Sequence, residues 1–361
     1  MADGRAGEDG VHASADLGKV LESDGWIGPR SPRPAKTPAG VDREVEKQQI
    51  PRVVAVVVAY NRRDLLVEAL DALAAQRRPA DGVLVVDNAS PDDSAELARN
   101  HPLGPAVLSL PTNTGGSGGF AAGIAHAVTD MAADYVWLMD DDTIPSPTAL
   151  AFLLDAVRAY PGRVAIAGSR AVWIDGRDHP MNTPRTRPLA TPRQRARAAL
   201  VGARPVRSSS FVSMLVDVEA IRRHGLPMAD YFIWNDDFEY SCRLLRHDTG
   251  LFVPGSVVEH RTKVFGGSDA DPGERFYYEV RNKLWMLLRS SALSPAGRVL
   301  YTAATLRRWA RLLLRSRERT VLLHAARRGL RDARRPPRDT AAVLAEVGVD
   351  ASLGGGAGDQ R

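Results

Sequence analysis

The folded part of the chain opens with an apolar run that shows no alternation with polar residues. This run, Val53–Ala59, contains only valine and alanine, a composition typical of a strand covered on both faces, as in a parallel sheet. A helix is predicted from Asp64, a preferred N-cap residue type, because Leu66, Leu70 and Leu73 fall on one helical face. The domain is therefore predicted to begin with a strand–helix unit.

The same alternation continues through residue 142. Further buried strands are predicted at 82–86, 106–110 and 135–139, and helices at 93–100 and 120–133. Such a series favours an α/β fold with an open, doubly wound, mostly parallel sheet flanked by helices. Ligands of these sheets bind beyond the carboxyl ends of the strands. Four segments lie at those ends: Tyr60-Asn61, Asp87-Asn88, the glycine-rich residues 113–119 and the triplet Asp140-Asp141-Asp142.

The second half of the chain has a less regular pattern. Helices are predicted at 147–160, 219–224, 236–246 and 274–290, and strands at 164–167, 171–174, 209–218, 251–253 and 257–260. The segment 175–207 is rich in proline and arginine and is predicted to be a long loop.

Composition divides the chain into four parts. It has 361 residues, 44% hydrophobic and 25% charged, which is ordinary for a globular protein. Residues 1–50 mix glycine, proline, alanine and charges without a period, which predicts a disordered tail. A folded domain over 51–290, a basic helical extension over 291–340 and a flexible tail over 341–361 complete the prediction.

The excess of positive charge is small, and its position along the chain is more informative than its size. Lys and Arg number 48 against 43 Asp and Glu, a net charge of +5, and residues 295–338 concentrate the positive charge. On a helix, one face would carry Arg307, Arg308, Arg311 and Arg315, and the opposite face Leu306, Trp309, Ala310 and Leu313. Two interpretations stay open: a helix lying on an anionic membrane surface, or a surface helix packed on the domain with solvated arginines. No nucleic-acid-binding motif accompanies the basic stretch, so no nucleic acid partner is predicted.

The cysteine content and the absence of long apolar runs bear on the cellular compartment. The single cysteine, Cys242, excludes an intrachain disulfide, is compatible with a reducing compartment and is predicted to be a buried structural thiol. Neither a secretory signal pattern nor an apolar run of about 18 residues is present. The prediction is a cytoplasmic protein, attached peripherally at the inner face of the plasma membrane if the basic helix binds lipid.

Two acidic groups are the main candidates for chemistry. The triplet Asp140-Asp141-Asp142 follows a buried strand, where mutually repelling carboxylates suit a divalent cation such as Mg²⁺. The alternative is a solvated acidic turn. Asp236-Asp237 begins a predicted helix and can supply a general base, or simply an acidic first turn favoured by the helix dipole.

Three further features complete the candidates. His260 ends a strand and is either a metal ligand or a structural histidine. Asp87 either accepts a hydrogen bond from a nucleoside or caps its own turn. Gly116–Ala121 fits the dinucleotide fingerprint G-x-G-x-x-A, but that fingerprint belongs in the first strand–helix turn. Here that turn, Tyr60–Arg63, has no glycine, so an NAD(P)-dependent oxidoreductase is a disfavoured alternative.

Together the motifs resemble those of the family 2 glycosyltransferases of GT-A fold over residues 51–290. The segments that carry this resemblance are 56–62, 85–90, 113–116 and 137–142. Within the family, segments 113–120 and 234–240 are similar to the galactofuranosyltransferases of cell-wall galactan synthesis, with rhamnosyltransferases as near neighbours. Asn235 stands where the galactofuranosyltransferase motif has tryptophan.

The resemblance implies a role for each candidate residue. Asp140, Asp142 and His260 would hold Mn²⁺ or Mg²⁺ on the donor diphosphate. Asp237 would be the catalytic base, and Asp236 would orient the acceptor. The donor would contact Tyr60, Asn61, Asp87, Asn113, Gly115, Gly116 and Asp141. Arg281-Asn282 matches a recurring element near the site.

The implied activity is an inverting, metal-dependent transfer from a UDP- or dTDP-sugar. Galactofuranose or rhamnose would move to a hydroxyl of a lipid-linked or cell-surface glycan acceptor. A non-catalytic sugar-nucleotide-binding protein is the second alternative, and the retained Asp140, Asp142 and Asp237 argue against it.

Overall fold

The computed structural model describes residues 50–262, residue 265 and residues 272–353. The predicted N-terminal tail, except for Ile50, lies outside these described residues.

Ten strands form one sheet among the described residues. They are β1 Val53–Ala59, β2 Gly82–Asp87, β3 Ala106–Ser109, β4 Tyr135–Asp140, β5 Thr143–Pro145, β6 Ile166–Val172, β7 Arg185–Thr186, β8 Arg204–Ser208, β9 Met214–Asp217 and β10 Gly250–His260. The strand order is β3-β2-β1-β4-β9-β6-β10-β8-β7, with β5 on β10. The first four strands of this order are parallel, and β9 runs antiparallel between β4 and β6.

Helices cover both faces of the sheet and extend beyond it. They are α1 Arg63–Ala74, α2 Ser94–Asn100, α3 Gly115–Thr129, α4 Ala149–Ala159, α5 Pro192–Leu200, α6 Val218–His224, α7 Asp236–Leu245, α8 Phe276–Arg289, α9 Pro295–Arg315, α10 Arg319–Asp332 and α11 Thr340–Ala345. The α/β fold predicted from the apolar pattern is confirmed.

The central strand β1 explains why its sequence shows no alternation. It pairs with β2 on one side and β4 on the other, and every residue is buried. Val54 and Val56 enter one apolar cluster, whereas Val53 and Val57 enter the cluster on the opposite face. Apolar residues are therefore required at both parities.

The glycine-rich segment differs from its predicted loop, because α3 begins at Gly115 instead of residue 120. A Cβ atom at Gly119 would lie 2.6 Å from Val58 Cγ1, and one at Gly123 would lie 2.4 Å from Val56 Cγ1. The glycines therefore let α3 approach β1 more closely than any side chain allows.

Other predicted elements change in extent. The predicted strand pairs at 164–174 and at 251–260 are the single strands β6 and β10, the latter with a register shift between Val253 and Val257. The predicted long loop 175–207 contains α5, which Thr191 and Gln194 cap reciprocally, together with β7 and most of β8. Helix α1 begins at Arg63, so Asp64 lies in its first turn and is not its N-cap.

The C-terminal region packs on the domain through α8. Leu322 and Ala325 of α10 are buried against Phe276 and Val280 of α8. Residues 341–353, the described part of the predicted flexible tail, are ordered instead, because α11 buries Leu344 completely in the main core. Among the described residues, no helix has both the length and the apolar character needed to cross a membrane.

Candidate active site

The register of the parallel strands brings the predicted site residues to one edge of the sheet. Asp140 of β4 pairs with Val58, and Asp87 of β2 pairs with Ala59. The end of β1 therefore lies between the two carboxylates. The predicted convergence at the carboxyl ends of these strands is present in the structure.

A potential metal site forms where the acidic triplet meets β10. Short strand β5 follows the triplet and pairs antiparallel with β10, which places His260 opposite Thr143. Asp140, Asp142 and His260 each offer a ligand atom, and these atoms all lie within 4.8 Å of one another. Carboxylate oxygen and imidazole nitrogen suit Mn²⁺, and carboxylate oxygen suits Mg²⁺.

The hydrogen bonds around His260 fit a cation. Its Nδ1–H donates to Asn182 Oδ1 at 2.9 Å, so Nε2 faces Asp142 Oδ1 at 3.2 Å. Asp142 Oδ1 is buried and accepts no hydrogen bond from a described residue. Two lone pairs facing each other require a second proton or a cation between them. Asn182 thus fixes the imidazole as partners of metal-bound histidines do.

The three carboxyl groups differ in pKa. Burial, with the neighbouring charges of Asp142 and Asp141, raises the pKa of Asp140 well above its ordinary value. Burial also raises the pKa of Asp141 to about 6, against the opposing charge of Arg62. Burial would raise the pKa of Asp142 too, but His260 and Arg62 together lower it. The cluster therefore has more negative charge than its own cations offset, as a metal site requires.

Asp141 fastens the loop that follows β1. One of its oxygens accepts from Tyr60 N at 3.0 Å and the other from Arg62 Nη1 at 3.2 Å. Arg62 also pairs with Asp142. A cavity of about 270 Å³ lies here, lined by Tyr60, Asn61, Arg62, Leu65, Asp142 and Arg261. Because the chain itself occupies both oxygens of Asp141, its contact with a donor remains a prediction.

Asn88 holds the start of the glycine-rich helix beside β2. Its Nδ2 donates to Gly115 O at 2.8 Å, and its Oδ1 accepts from Thr114 N at 2.9 Å. Asn113 Oδ1 accepts from Gly115 N at 2.7 Å. Asp87 is buried and accepts from Ser90 N at 3.1 Å. Asn88 thus ties the start of α3 to the end of β2.

Two of the predicted donor-binding residues, Gly115 and Asn61, have a positive φ. Gly115 has a φ of +71°, and a Cβ there would lie 2.0 Å from Phe232 O, so only glycine fits. A Cβ at Gly116 would meet no atom within 4 Å. Asn61 also has a positive φ, of 55°, which turns the chain sharply at the end of β1.

A strained loop delivers the second acidic pair to the same edge. Phe232, Trp234 and Asn235 all have positive φ, and α7 begins directly afterwards with Asp236. Asn282 Nδ2 lies within 2.9 Å of the Tyr231, Ile233 and Trp234 carbonyl oxygens and donates to them. The Arg281-Asn282 element therefore holds this loop in shape. Positive φ suits asparagine, as at Asn235, better than most residues.

The second acidic group, Asp236-Asp237, is buried and interacts with the acidic triplet. Burial raises the pKa of Asp237, against hydrogen bonds from the Ser210 hydroxyl and Phe238 N. Burial and the charge of Asp237 raise the pKa of Asp236 to about 7. Asp236 is also one of the charges that raise the pKa of Asp140, so the two acidic groups interact electrostatically.

A chain of hydrogen bonds joins the two groups. Asn182 accepts from His260 and donates through Nδ2 to Ser210 Oγ at 3.0 Å, and Ser210 is bonded to Asp237. Asn182 and Ser210 are functional candidates that sequence reasoning missed. Asn182 lies in the segment predicted to be a long loop, where no pattern distinguishes it. Asn88 and Arg62 adjoin predicted site residues, and that adjacency was the only available signal.

The chain is similar to proteins of known family. Residues 54–221 match the model of glycosyl transferase family 2. Galactofuranosyltransferase GlfT1 of Mycobacterium tuberculosis is 32% identical over 253 residues, which span 65% of this chain and 82% of that protein. The protein of the same name from Mycolicibacterium smegmatis is 43% identical over 98 residues, which span 27% of this chain and 32% of that protein.

The fold has solved counterparts. TarS 1-349 of S. aureus superposes with a TM-score of 0.51 at 17% identity, covering 74% of this chain and 73% of TarS 1-349. Its complex with UDP-GlcNAc gives 0.52 at 16% identity, covering 78% and 81%. The predicted GT-A fold is confirmed, and the oxidoreductase alternative is wrong. The chain belongs to the family 2 glycosyltransferases.

Proposed function

We propose that this enzyme transfers a sugar from a nucleotide-sugar to an acceptor hydroxyl with inversion at the anomeric carbon. The observation that carries the proposal is one cleft with two acidic groups. Asp140, Asp142 and His260 converge as cation ligands, and Asp236-Asp237 approach them from the N-terminus of α7.

The residues of the cleft divide the reaction between them. Asp237 accepts the proton of the acceptor hydroxyl as that oxygen attacks the anomeric carbon. The Ser210 hydroxyl and Phe238 N–H orient its carboxylate. Asp140, Asp142 and His260 would hold Mn²⁺ or Mg²⁺, which supplies positive charge to the diphosphate leaving group. With the base and the leaving group on opposite sides of the sugar, one in-line displacement inverts the configuration.

The donor and acceptor follow from the resemblance and the named relatives. Galactofuranose is the first candidate sugar, because two relatives are called galactofuranosyltransferases, and rhamnose is the second. A UDP- or dTDP-sugar would lie along Tyr60, Asn61, Asp87, Asn113, Gly115, Gly116 and Asp141. The acceptor would be a lipid-linked or cell-surface glycan.

The surface of α9 supports work beside a membrane at its cytoplasmic face. Val299, Leu300 and Leu314 are 70%, 72% and 71% exposed, and exposed arginines at 307, 311 and 315 flank them. Trp309 and Leu313 instead pack toward α8 and α10. An apolar stripe bordered by positive charge fits an anionic lipid surface. The surface formed by Val299, Leu300, Leu314 and the flanking arginines is called the α9 stripe below.

A donor screen tests the proposal. UDP-galactofuranose, dTDP-rhamnose and UDP-glucose would each be offered with Mn²⁺, with nucleotide release and the shift in Tm as measurements. We expect one donor to stabilise the enzyme only when metal is present. Asp237→Asn should lower transfer on the order of 10²–10⁴-fold while keeping that stabilisation.

Two further variants complete the design. Asp142→Asn should lose the metal-dependent stabilisation because it removes a ligand, whereas Asp155→Asn, at an exposed position of α4, should behave as wild type. Unchanged transfer by Asp237→Asn would refute the assigned base. Stabilisation by NADH but by no nucleotide-sugar would refute the function.

A further inference from the structure

Three cations converge on one aromatic pair. The rings of Phe238 and Tyr301 stack with centroids 5.1 Å apart and an interplanar angle of 22°. Arg185 Cζ lies 5.1 Å from the Phe238 centroid, and Arg207 Cζ lies 4.9 Å from that of Tyr301. Lys283 Nζ lies 5.5 Å from the Phe238 centroid. The cations come from β7, β8 and α8, so only the fold assembles this cationic cluster.

The acidic side chains that act on the cluster are Glu279 and Asp237, whose charges favour the charged form of Lys283. None of the three cations forms an ion pair within the part of the chain that the structure describes. Arg185 Nη1 donates to the Tyr301 hydroxyl at 2.7 Å, which fixes its position without neutralising it. Lys283 is only 7% exposed, and its ammonium donates to no described residue. Burial lowers the pKa of Lys283 to about 8, against the opposing charges of Glu279 and Asp237, so a further anion beside the ammonium would favour its charged form.

The nearby carboxylate on α8 is already occupied. Glu279 accepts from Asn235 Nδ2 at 2.9 Å and from Trp309 Nε1 at 3.2 Å, and it pairs with Arg308. Its hydrogen bonds hold α9 against α8 and the loop before α7. Burial would raise the pKa of Glu279, but the charges of Lys283 and Arg308 lower it, so Glu279 offsets part of the charge of Lys283 without forming an ion pair with it.

The cluster lies on the side of the cleft that belongs to the catalytic base. Lys283 and Arg185 are the cations whose charges act on the pKa of Asp237. Arg62 is the cation whose charge acts on Asp140, Asp141 and Asp142. Because the donor diphosphate belongs at the metal ligands, the second positive site is available to the other substrate.

We propose that Arg185, Arg207 and Lys283 bind a phosphate or diphosphate group carried by the acceptor. This inference rests on the proposed function, in which Asp237 receives the acceptor proton. Arginine forks and a lysine ammonium are suited to phosphate oxygens. Tyr301 also belongs to α9, where the adjacent Leu300 is 72% exposed. A phosphate in the cluster would therefore place an attached lipid chain beside the α9 stripe.

Binding measured without metal or donor tests the cluster alone. Geranyl diphosphate and inorganic diphosphate would be titrated calorimetrically in EDTA, which disables the metal site. The variant Arg185→Gln/Arg207→Gln removes two partly exposed cations and spares the buried Lys283. Arg204→Gln is the matched control, because this exposed arginine lies three residues before Arg207 on β8, on the other face of the strand.

We expect the double variant to bind both diphosphates on the order of 100-fold more weakly and Arg204→Gln to bind as wild type. Equal binding by wild type and the double variant would overturn the proposal. Tighter binding of geranyl diphosphate than of inorganic diphosphate would show that the site also recognises an attached lipid chain. Equal binding of the two would show that it recognises the phosphate groups alone. Either result supports the site.

The proposed function has a separate measurement in the same samples. Stabilisation by UDP with Mn²⁺ should be the same in wild type and the double variant. If UDP with Mn²⁺ did not stabilise the wild type, that result would count against the glycosyltransferase mechanism. The diphosphate titrations would still report on the cationic cluster.

Discussion

At the scale of single residues, Asn182 connects the two halves of the cleft. Its carbonyl oxygen fixes His260, and its amide nitrogen holds Ser210, which bonds to Asp237. One side chain thus orients a cation ligand and the partner of the candidate base. Outer-shell partners of this kind tune metal affinity without touching the ion.

The first prediction concerns Asn182→Ala. Without the amide, His260 loses the acceptor that fixes its Nδ1–H and is free to turn, so Nε2 no longer points steadily at the metal position. We expect the affinity for Mn²⁺ to fall on the order of 10–100-fold, measured by calorimetric titration.

Ser210→Ala is the control, because it removes the bonds to Asn182 and Asp237 but leaves the bond between Asn182 and His260 in place. It should leave Mn²⁺ affinity unchanged. Loss of a hydrogen bond that lowers the pKa of Asp237 raises that pKa, so the acidic limb of the rate profile should move to higher pH. Equal loss of Mn²⁺ affinity in Asn182→Ala and Ser210→Ala would contradict the separate roles of Asn182 at His260 and of Ser210 at Asp237.

At the scale of elements, the start of α3 is shaped by contact with the loop before α7. Gly115 touches the Phe232 carbonyl in a left-handed conformation, and Ser117 N donates to the same carbonyl oxygen at 3.2 Å. The start of α3 and the loop that precedes Asp236 are therefore built against each other.

The second prediction compares two adjacent glycines. Gly115→Ala introduces a Cβ that would lie 2.0 Å from Phe232 O at a φ of +71°, so the free energy of unfolding should fall by roughly 2 kcal/mol or more. Gly116→Ala adds a methyl group in open space on a helix and should be neutral or stabilising by up to about 1 kcal/mol. Urea denaturation measures both, and equal destabilisation would refute this contact.

At the scale of the whole molecule, α8 joins the catalytic domain to its C-terminal helices. Asn282 secures the loop before α7, Trp285 donates to Arg335 O at 2.7 Å, and Glu279 accepts from α9. The exposed α9 stripe is thus held in a fixed relation to the cleft. Phe238, the residue after Asp237, also stacks on Tyr301 of α9, so α9 lies beside the start of α7.

The third prediction tests the α9 stripe. Wild type should sediment with vesicles containing phosphatidylglycerol more than with phosphatidylcholine alone, and salt should weaken the binding. Val299→Ser/Leu300→Ser should lower vesicle affinity on the order of tenfold or more, because each apolar side chain contributes through burial.

Leu200→Ser provides the matched control. Leu200 is 78% exposed on α5, so the change alters surface polarity without touching α9. Vesicle binding that falls equally in both variants, or that is indifferent to lipid charge, would refute the α9 stripe as the attachment surface.

Much of the fold and of the cleft was predictable because it depends on local pattern. A strand buried on both faces needs apolar residues at every position, as β1 shows, and the carboxyl ends of parallel strands share one edge. Asp87 and Asp140 could therefore be assigned to one site from sequence alone. The assignment of His260 to the same site depended on the family resemblance, because no local pattern in the sequence indicates that β5 and β10 pair.

Only the tertiary structure decided which distant side chains complete the cleft. Asn182 emerges from an irregular segment, and Arg185, Arg207 and Lys283 meet from three elements. Hydrogen bonds and charge interactions depend on distances across the fold, which spacing along the chain does not encode. The sequence by itself determined the alternating elements and the acidic strand end. The tertiary structure determined how His260 is held and where Arg185, Arg207 and Lys283 come together.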